Sequence, residues 1–375
     1  MTNHPSSDAS SRHRVYQYLP YLQNLGFDVE VYPFTDPQLF QAIHRNGGNV
    51  AKLGGLGSAV IRRLSLLRRM ADVDVVFLHR EAFPFGPPLL EMTLARHCKS
   101  VVFSFDDALY ARYPYATGLS RRVAYRFKYG RNLGTLISRC AAVVAGNDVL
   151  ARYARQYNER VEVIPTAVDT IHYAGRGSVA RKPDVVTIGW MGSPSTSIYL
   201  RQIEGSLQKI EGRYGSRVQF RFVGDPAFHT TLRSAEVRSW NASTEISDLE
   251  GFDIGLMPLL DSEWTRGKCA FKAVQYMAAE APVVASPVGA SEAVVREGVT
   301  GMLAKSPDDW VNALSSLIEQ PRLRELLGKN GRAWVEERFS VKATLPALVK
   351  VLTEAAAKPR PSKQAPARSR SATNY

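Results

Sequence analysis

Two lysines, a glycine and a glutamine lie close together in the second half of the chain. Lys268, Lys272 and Gln275 are separated by four and then three residues, and Gly267 directly precedes the first lysine. On a helix, residues at these spacings share one face. Because a helix dipole favours acidic residues in the first turn, two cations there predict a bound anion such as a diphosphate. The alternative is a pair of solvated lysines on an exposed helix.

A second candidate phosphate site is the segment Gly192-Ser193, which follows an apolar run at residues 185–191. Ser193 suits the position before a helix, and Pro194 suits the first turn. A glycine lets a ligand approach the backbone, and free N–H groups at a helix N-terminus bind anions. A glycine that only permits a tight turn explains the same residues.

In the N-terminal half, charged side chains follow two short apolar runs. Asp106 and Asp107 follow one run, and Arg80 and Glu81 follow the other. If the runs are parallel strands, these side chains lie at the carboxyl ends, where ligands bind in open α/β sheets. We expect the aspartates to contact a substrate, and Arg80 to contact an anionic substrate or Glu81. A helix cap or a turn is the alternative role for the aspartates.

Short apolar runs that alternate with helical patterns predict an α/β fold with two parallel sheets. A helix is predicted over residues 10–25. The predicted strands are residues 29–32, 75–78, 101–105, 141–145 and 161–168 in the first half, and residues 185–191, 218–223, 254–257, 283–285 and 302–304 in the second. Two facing sheets of this kind would enclose a cleft at their carboxyl ends.

This pattern predicts an N-terminal domain, a linker, a C-terminal domain, a closing helix and a disordered basic tail. Their predicted bounds are residues 1–169, 170–183, 184–338, 339–357 and 358–375. The net charge of +13 favours an anionic partner such as a nucleotide, a phospholipid surface or a nucleic acid, without choosing among them. Of these three, a nucleic acid is not expected.

The chain has 375 residues, of which 45% are hydrophobic and 22% charged, as in average globular proteins. No apolar run reaches the roughly 18 residues that a membrane span needs, and residues 1–11 lack the apolar stretch of a secretory signal. We therefore expect a cytoplasmic protein. The three cysteines are far apart, so neither a disulfide framework nor a zinc site is predicted, and no cofactor is expected.

Residues 120–139 predict a basic amphipathic helix whose apolar stripe packs on the N-terminal sheet. The basic residues of this helix and of an earlier segment are Arg121, Arg122, Arg126, Lys128, Arg131, Arg139, Arg62, Arg63, Arg68 and Arg69. Together with the tail, they predict reversible docking on the anionic inner face of a membrane. A solvated basic surface is the alternative.

The order and spacing of several sequence segments resemble those of glycosyltransferase family four, from about residue 11 to residue 339. The resemblance implies a GT-B fold, in which two Rossmann-like domains face each other across a cleft. It also implies a nucleotide-diphosphate sugar donor bound mainly by the C-terminal domain, retention of configuration, and no required metal. The segments that carry it include Ser11-Arg12-His13-Arg14-Val15, Asp106-Asp107-Ala108, Gly146-Asn147, Gly189-Trp190-Met191-Gly192-Ser193, Phe252-Asp253-Ile254-Gly255 and Pro282-Val283-Val284-Ala285-Ser286.

By position, the resemblance places Gly192 and Ser193 at the diphosphate, Lys268 and Lys272 at the leaving group, and Gln275 at the ribose. On the other side of the cleft, we expect Asp106 to be catalytic. The expected acceptor-side residues are Arg80, Glu81, Asp107 and Asn147.

The sequence departs from the family pattern in three places. Many members have two glutamates eight positions apart, where this chain has Gly267 and Gln275, and Glu263 is the expected substitute for the first. Many members also have an arginine and a lysine soon after Gly192, where this chain has Ser195, Thr196 and Ser197, so Lys268 and Lys272 are expected to supply the charge. Finally, no strand precedes residues 11–15, and we expect the true start to lie upstream, because losing a buried strand would expose backbone groups.

The predicted function is transfer of a sugar from a nucleotide-diphosphate sugar to an acceptor in cell-envelope polysaccharide or glycolipid synthesis. One alternative is a nucleotide-sugar-binding protein without transferase activity. Another is an epimerase or hydrolase on the same fold, with Asp106, Glu263 and His229 as loose candidates for the acid and base.

Overall fold

The computed structural model describes residues 1–44, 49–70, 72–83, 87–111, 130–173 and 184–357. Within these residues, the N-terminal sheet has four parallel strands in the order β1-β2-β3-β4, and the C-terminal sheet has six in the order β10-β9-β8-β5-β6-β7. The strands are β1 Val76–His79, β2 Val101–Phe105, β3 Ala142–Ala145, β4 Val161–Val163, β5 Val186–Met191, β6 Val218–Val223, β7 Ala235–Arg238, β8 Ile254–Met257, β9 Val283–Ala285 and β10 Gly301–Leu303.

Helices cover both sheets, so the central strands are buried runs of apolar residues, as parallel sheets require. In the described part of the N-terminal half, the helices are α1 Ala9–Arg14, α2 Leu19–Asn24, α3 Pro37–His44, α4 Asn49–Arg69, α5 Leu89–His97, α6 Gly130–Arg139 and α7 Asp148–Ala154. Those of the C-terminal half are α8 Pro194–Ser197, α9 Leu200–Tyr214, α10 Glu245–Glu250, α11 Glu263–Arg266, α12 Phe271–Ala278, α13 Ser291–Val294, α14 Pro307–Glu319, α15 Pro321–Arg338 and α16 Val341–Ala356.

The predicted strands at residues 101–105, 218–223, 254–257 and 283–285 are confirmed at both ends. The single helix predicted over residues 10–25 is wrong, because the structure breaks it into α1, a 3-10 turn at Tyr16–Tyr18 and α2. Pro20 explains the break. Its ring cannot fit against the carbonyl four residues earlier in a continuous helix, but it is tolerated in the first turn of α2.

The strand predicted at residues 29–32 is also wrong, since the described backbone there forms only an isolated bridge between Thr2 and Pro33. The first residues of the chain lie between this segment and β1. The Met1 ammonium donates to the Phe77 carbonyl at 2.7 Å, and the His79 N–H donates to the Met1 carbonyl at 3.0 Å. These contacts use the edge of β1 that does not pair with β2.

The last helix, α16, returns to the N-terminal sheet. Its residues Val341 and Leu348 pack in one apolar cluster with Val102 of β2 and Val144 of β3. Beside this helix, Val168 bonds to the 339–341 backbone in both directions at 2.9 Å. The N-terminal sheet is therefore covered in part by the end of the chain. Three predicted segments lie outside the described residues: 120–129 of the basic helix, 174–183 of the linker, and the tail at 358–375.

Candidate active site

The loops at the carboxyl ends of the two sheets touch each other. The Asn147 side-chain amide donates to the Gly267 carbonyl at 2.9 Å, and the Cys269 thiol donates to the Asp106 carbonyl at 3.1 Å. A Cβ atom on Gly267 would lie 2.5 Å from that of Ala108, which is closer than real Cβ atoms approach. Glycine at this position is therefore required for the close approach of the two lobes.

A cluster of charges from both lobes surrounds the carboxylate of Asp107. The Arg80 guanidinium lies 3.4 Å from one oxygen, and the Lys268 ammonium lies 3.6 Å from the other. Arg80 thus pairs with Asp107, and the interpretation that it contacts Glu81 is not supported by a direct ion pair. Glu81 is buried and accepts a hydrogen bond from the Asn3 amide at 3.3 Å.

The prediction that Lys268, Lys272 and Gln275 share one helix is wrong for Lys268. Helix α12 begins at Phe271, because Ala270 before it adopts the left-handed conformation with φ of 52°. Lys268 instead lies in the turn after α11, where its ammonium sits 5.7 Å from the centre of the Trp264 ring.

Lys272 is in the first turn of α12, and its ammonium lies 5.6 Å from the centre of the Trp190 ring. Burial and the positive charge of Lys268 lower the pKa of this lysine, Asp107 partly opposes them, and the resulting pKa is about 7. The two lysines are therefore electrostatic neighbours although only one is helical. Such a pKa means that the charge of Lys272 depends on what binds beside it.

Gly192 lies directly against Lys272. A Cβ atom on Gly192 would be 2.6 Å from Cε of the lysine and 2.7 Å from the Trp190 ring. As predicted, α8 starts at Pro194 with Ser193 in the preceding position, although the Ser193 hydroxyl makes no capping bond. Ser193 is exposed, and its hydroxyl lies 2.8 Å from that of Ser195.

Gln275 is buried and belongs to a polar cluster that also joins the two lobes. Its amide donates to the carboxylate of Glu245 at 2.9 Å. The same carboxylate accepts from Arg12 of α1 at 2.5 Å and from the Trp240 indole at 3.1 Å. The sequence analysis missed Glu245, whose only signal is its acidic position in the first turn of a short helix.

Asp106 is held by Ser10, which the sequence analysis also missed. The Ser10 hydroxyl donates to its Oδ2 at 2.6 Å and lies 2.9 Å from Nε2 of His79. Burial alone would raise the pKa of Asp106, but the nearby His79, Arg80 and Arg14 outweigh it and lower the pKa to about 2. Among the described residues, the buried Oδ1 of Asp106 has no hydrogen-bond partner. Asp106 is thus an ionised carboxylate in which only Oδ2 has a hydrogen-bond partner among the described residues.

Glu263 is exposed at the start of α11 and lies in a pocket that includes neither lysine nor Gln275. This pocket has a volume of about 490 Å³, and its other lining residues are Tyr110, Val149, Arg152, Tyr153 and Gln156. His229 is exposed. Within the part of the chain that the structure describes, no three His, Cys, Asp or Glu side chains are grouped to hold a metal ion.

Solved structures with this fold are GT-B glycosyltransferases. Anabaena HepE, solved in complex with UDP, superposes with a TM-score of 0.64 at 15% identity, covering 94% of this chain and 98% of that one. A glycosyltransferase from Rickettsia africae gives a TM-score of 0.64 at 13% identity, covering 93% and 96%. The chain therefore has the two-domain GT-B fold.

Family comparisons agree. The "Glycosyltransferase Family 4" pattern matches residues 12–172, and the "Glycosyl transferases group 1" pattern matches residues 182–320. The chain belongs to the family 4, group 1 glycosyltransferases.

A D-inositol 3-phosphate glycosyltransferase from Actinosynnema mirum is 43% identical over 199 residues, which is 46% of each chain. The one from Thermobifida fusca is 43% identical over 61 residues, 16% of this chain and 14% of that protein, so both matches span less than half of the relative.

Proposed function

We propose that this chain transfers a sugar from a nucleotide-diphosphate sugar to an acceptor in the cleft between its two lobes. The observation that carries the proposal is the ion pair of Lys268 with Asp107 across the two lobes, with Lys272 as the electrostatic neighbour of both residues. Beside Lys272, the charged neighbours are Lys268 and Asp107, so two lysines face one carboxylate on the C-terminal side of the cleft. A diphosphate fits this excess of positive charge, and its charge would restore the proton of Lys272.

The departing diphosphate gains negative charge as the bond to the sugar breaks. Lys268 and Lys272 would stabilise that charge, and Gly192 leaves the backbone beside Lys272 open to the phosphate oxygens. Fixed donors of this kind are worth about 2.7–4 kcal/mol each in a transition state. Since the cations are supplied by the protein, we infer that no metal is required.

The nucleotide is proposed to lie near the Gln275 and Glu245 cluster, where the amide and carboxylate suit ribose hydroxyls. HepE was solved with UDP, so uridine diphosphate is the first nucleotide to test. On the opposite side, Asp106 would accept a hydrogen bond from the acceptor or the transferred sugar through its Oδ1. We propose front-side displacement with retention, in which the leaving phosphate accepts the proton of the acceptor hydroxyl.

We place the acceptor in cell-envelope polysaccharide or glycolipid synthesis, with the protein in the cytoplasm and docked reversibly on an anionic membrane. None of the helices in the described residues is both long and apolar enough to cross a bilayer. Arg62 and Arg68 are exposed on α4 and would contribute to docking, whereas Arg63 is buried and bonds to the carbonyls of Tyr32 and Thr2. Arg63 is therefore removed from the docking surface.

The test is to incubate the purified protein with UDP-, GDP- and ADP-sugars, with and without a cell-envelope fraction. Release of nucleoside diphosphate that the fraction stimulates, with incorporation of labelled sugar, supports transfer. Nucleotide binding without any release would instead favour a binding protein, and altered sugar in the intact donor would favour an epimerase. The anomeric configuration of the product, measured by NMR, decides between retention and inversion.

A further inference from the structure

The pocket that contains Glu263 is lined by residues of both lobes, and neither lysine is among them. Helix α7 contributes Val149, Arg152 and Tyr153, which share one face because they are three and four residues apart. Glu263 enters from the C-terminal lobe. The pocket is therefore complete only when both lobes are in place.

Two stacked tyrosine rings line the pocket. Tyr110 and Tyr153 stack with ring centres 4.0 Å apart and planes inclined by 17°. Tyr157 packs against the second ring at 5.3 Å, so the arrangement is fixed by neighbours on both sides. Tyrosine combines a large apolar surface with a hydroxyl and loses little conformational freedom on binding, which suits a ligand with apolar faces and polar edges.

The charged side chains of the pocket have opposite signs, so their charges sum to zero. Arg152 and Glu263 are both exposed and of opposite sign, and Gln156, which follows α7, adds a neutral amide to the pocket lining. Burial and the nearby Glu263 carboxylate raise the pKa of the Tyr110 phenol, which keeps it a neutral donor. An ion of either sign is attracted by one of these groups and repelled by the other, so the pair gives it no net preference, whereas hydroxyl groups can donate to Glu263 and accept from Arg152.

We propose that this pocket binds a neutral saccharide unit of the acceptor, with its ring against Tyr110 and Tyr153 and its hydroxyls on Arg152, Gln156 and Glu263. This assignment rests on the proposed transferase function and names the acceptor class. It also moves Glu263 from the donor side, where the family resemblance suggested a substitute glutamate, to the acceptor side. The sugar would extend the acceptor away from the Asp106 carboxylate.

Direct binding tests the assignment without any donor. The probes are the methyl glycosides of glucose, galactose, mannose and N-acetylglucosamine, with inositol 1-phosphate as an anionic comparison, and the readout is saturation-transfer NMR. The wild-type protein should bind at least one neutral glycoside. Tyr153→Ala, Arg152→Ala and Glu263→Gln should each weaken that signal by about fivefold or more, because each loses a contact with the sugar. Glu159→Gln, at an exposed site outside the pocket, should retain it.

Glu263→Gln keeps its size and lies on the surface, so its result does not depend on the packing of a tyrosine. The assignment is overturned if no neutral glycoside binds, if the anionic probe alone binds, or if binding survives in both Arg152→Ala and Glu263→Gln. Donor turnover is measured separately on the same samples. Glycoside binding without any consumption of nucleotide sugar would contradict the transferase proposal and leave the pocket assignment intact. Consumption of nucleotide sugar without glycoside binding would contradict the pocket assignment and leave the transferase proposal intact.

Discussion

The ammonium of Lys268 and the carboxylate of Asp107 lie 3.6 Å apart although they belong to different lobes. Both side chains are partly exposed, at 22% and 21%, so the pair contributes at most about 1 kcal/mol to stability. A pair this weak is easily exchanged for a stronger partner. When a diphosphate arrives, Lys268 can turn to it while Asp107 keeps its contact with Arg80.

Replacing either lysine should affect catalysis far more than folding. We expect Lys268→Ala and Lys272→Ala to lower donor turnover by about tenfold or more, because each removes a cation at the leaving group. Lys209→Ala, at an exposed surface position of the same lobe, is the matched control. Steady-state rates and melting curves measure the two effects. A folded variant with near wild-type turnover would show that its lysine is not a leaving-group ligand.

The affinity for UDP should fall as the pH rises above neutral. Lys272 has a pKa of about 7 in the free protein, so it is charged below that pH and loses its charge above it. Between about pH 7 and about pH 9, the dissociation constant should rise by up to about tenfold per unit, as long as the bound lysine stays protonated. Titration calorimetry at several pH values measures this dissociation constant. Lys272→Arg, which stays charged, should remove this slope, and an equal slope in both proteins would contradict the assignment.

Gly192→Ala should disable the site through Lys272. The new methyl group would lie 2.6 Å from Cε of the lysine, so the ammonium must move, and turnover should fall by about tenfold. Gly212→Ala is the control, because a Cβ atom there meets nothing within 4 Å and the residue is inside α9. It should leave turnover unchanged and stabilise the fold by roughly 0.5–1 kcal/mol. Equal turnover in the two variants would rule out the close contact as functionally important.

Removing metal ions with a chelator should leave activity unchanged, because lysines are proposed to stabilise the negative charge of the leaving group. The measurement is donor turnover before and after treatment with EDTA and removal of the chelator by dialysis. Loss of activity that magnesium or manganese restores would show a metal requirement. It would also make Asp106 and Asp107 the first candidates for ligands.

The membrane proposal depends on charge and should therefore depend on salt. Co-sedimentation with anionic vesicles at low salt should exceed that with neutral vesicles, and high salt should release the protein, since each basic residue contributes about 1 kcal/mol. Leu133 and Ile137 of the predicted basic helix are buried in the N-terminal core, so any contact there comes from its charges. Equal binding to both vesicle types, or none to either, would favour a soluble acceptor.

The local sequence pattern was sufficient to predict the central strands, because each is a short apolar run that is buried on both faces. It failed at β7, an outer strand whose residues are mostly half-buried and of mixed polarity. It failed again at Lys268. The helical spacing of Lys268, Lys272 and Gln275 extends across Ala270, but the left-handed backbone of Ala270 separates Lys268 from α12. Periodicity reports which residues could share a face but does not show where a helix begins.

The residues of the site were predicted more easily than their partners. Asp107, Arg80 and both lysines stood out by type and position, but the pairs between them join segments that are distant in sequence. Ser10 and Glu245 were missed because a single serine or glutamate has no distinctive spacing. Only the folded chain brings them against Asp106 and Gln275.

The position of α16 determines the order in which this protein can fold during translation. Val102 and Val144 lie in central strands of the N-terminal sheet, and the helix that covers them is made of residues 341–356. A nascent chain that has released residues 1–169 still exposes this apolar surface and must keep it from aggregating while the other lobe is made. A recombinant fragment ending at residue 169 would carry the same bare face. The lobe that is synthesised first is thus the one that is completed last.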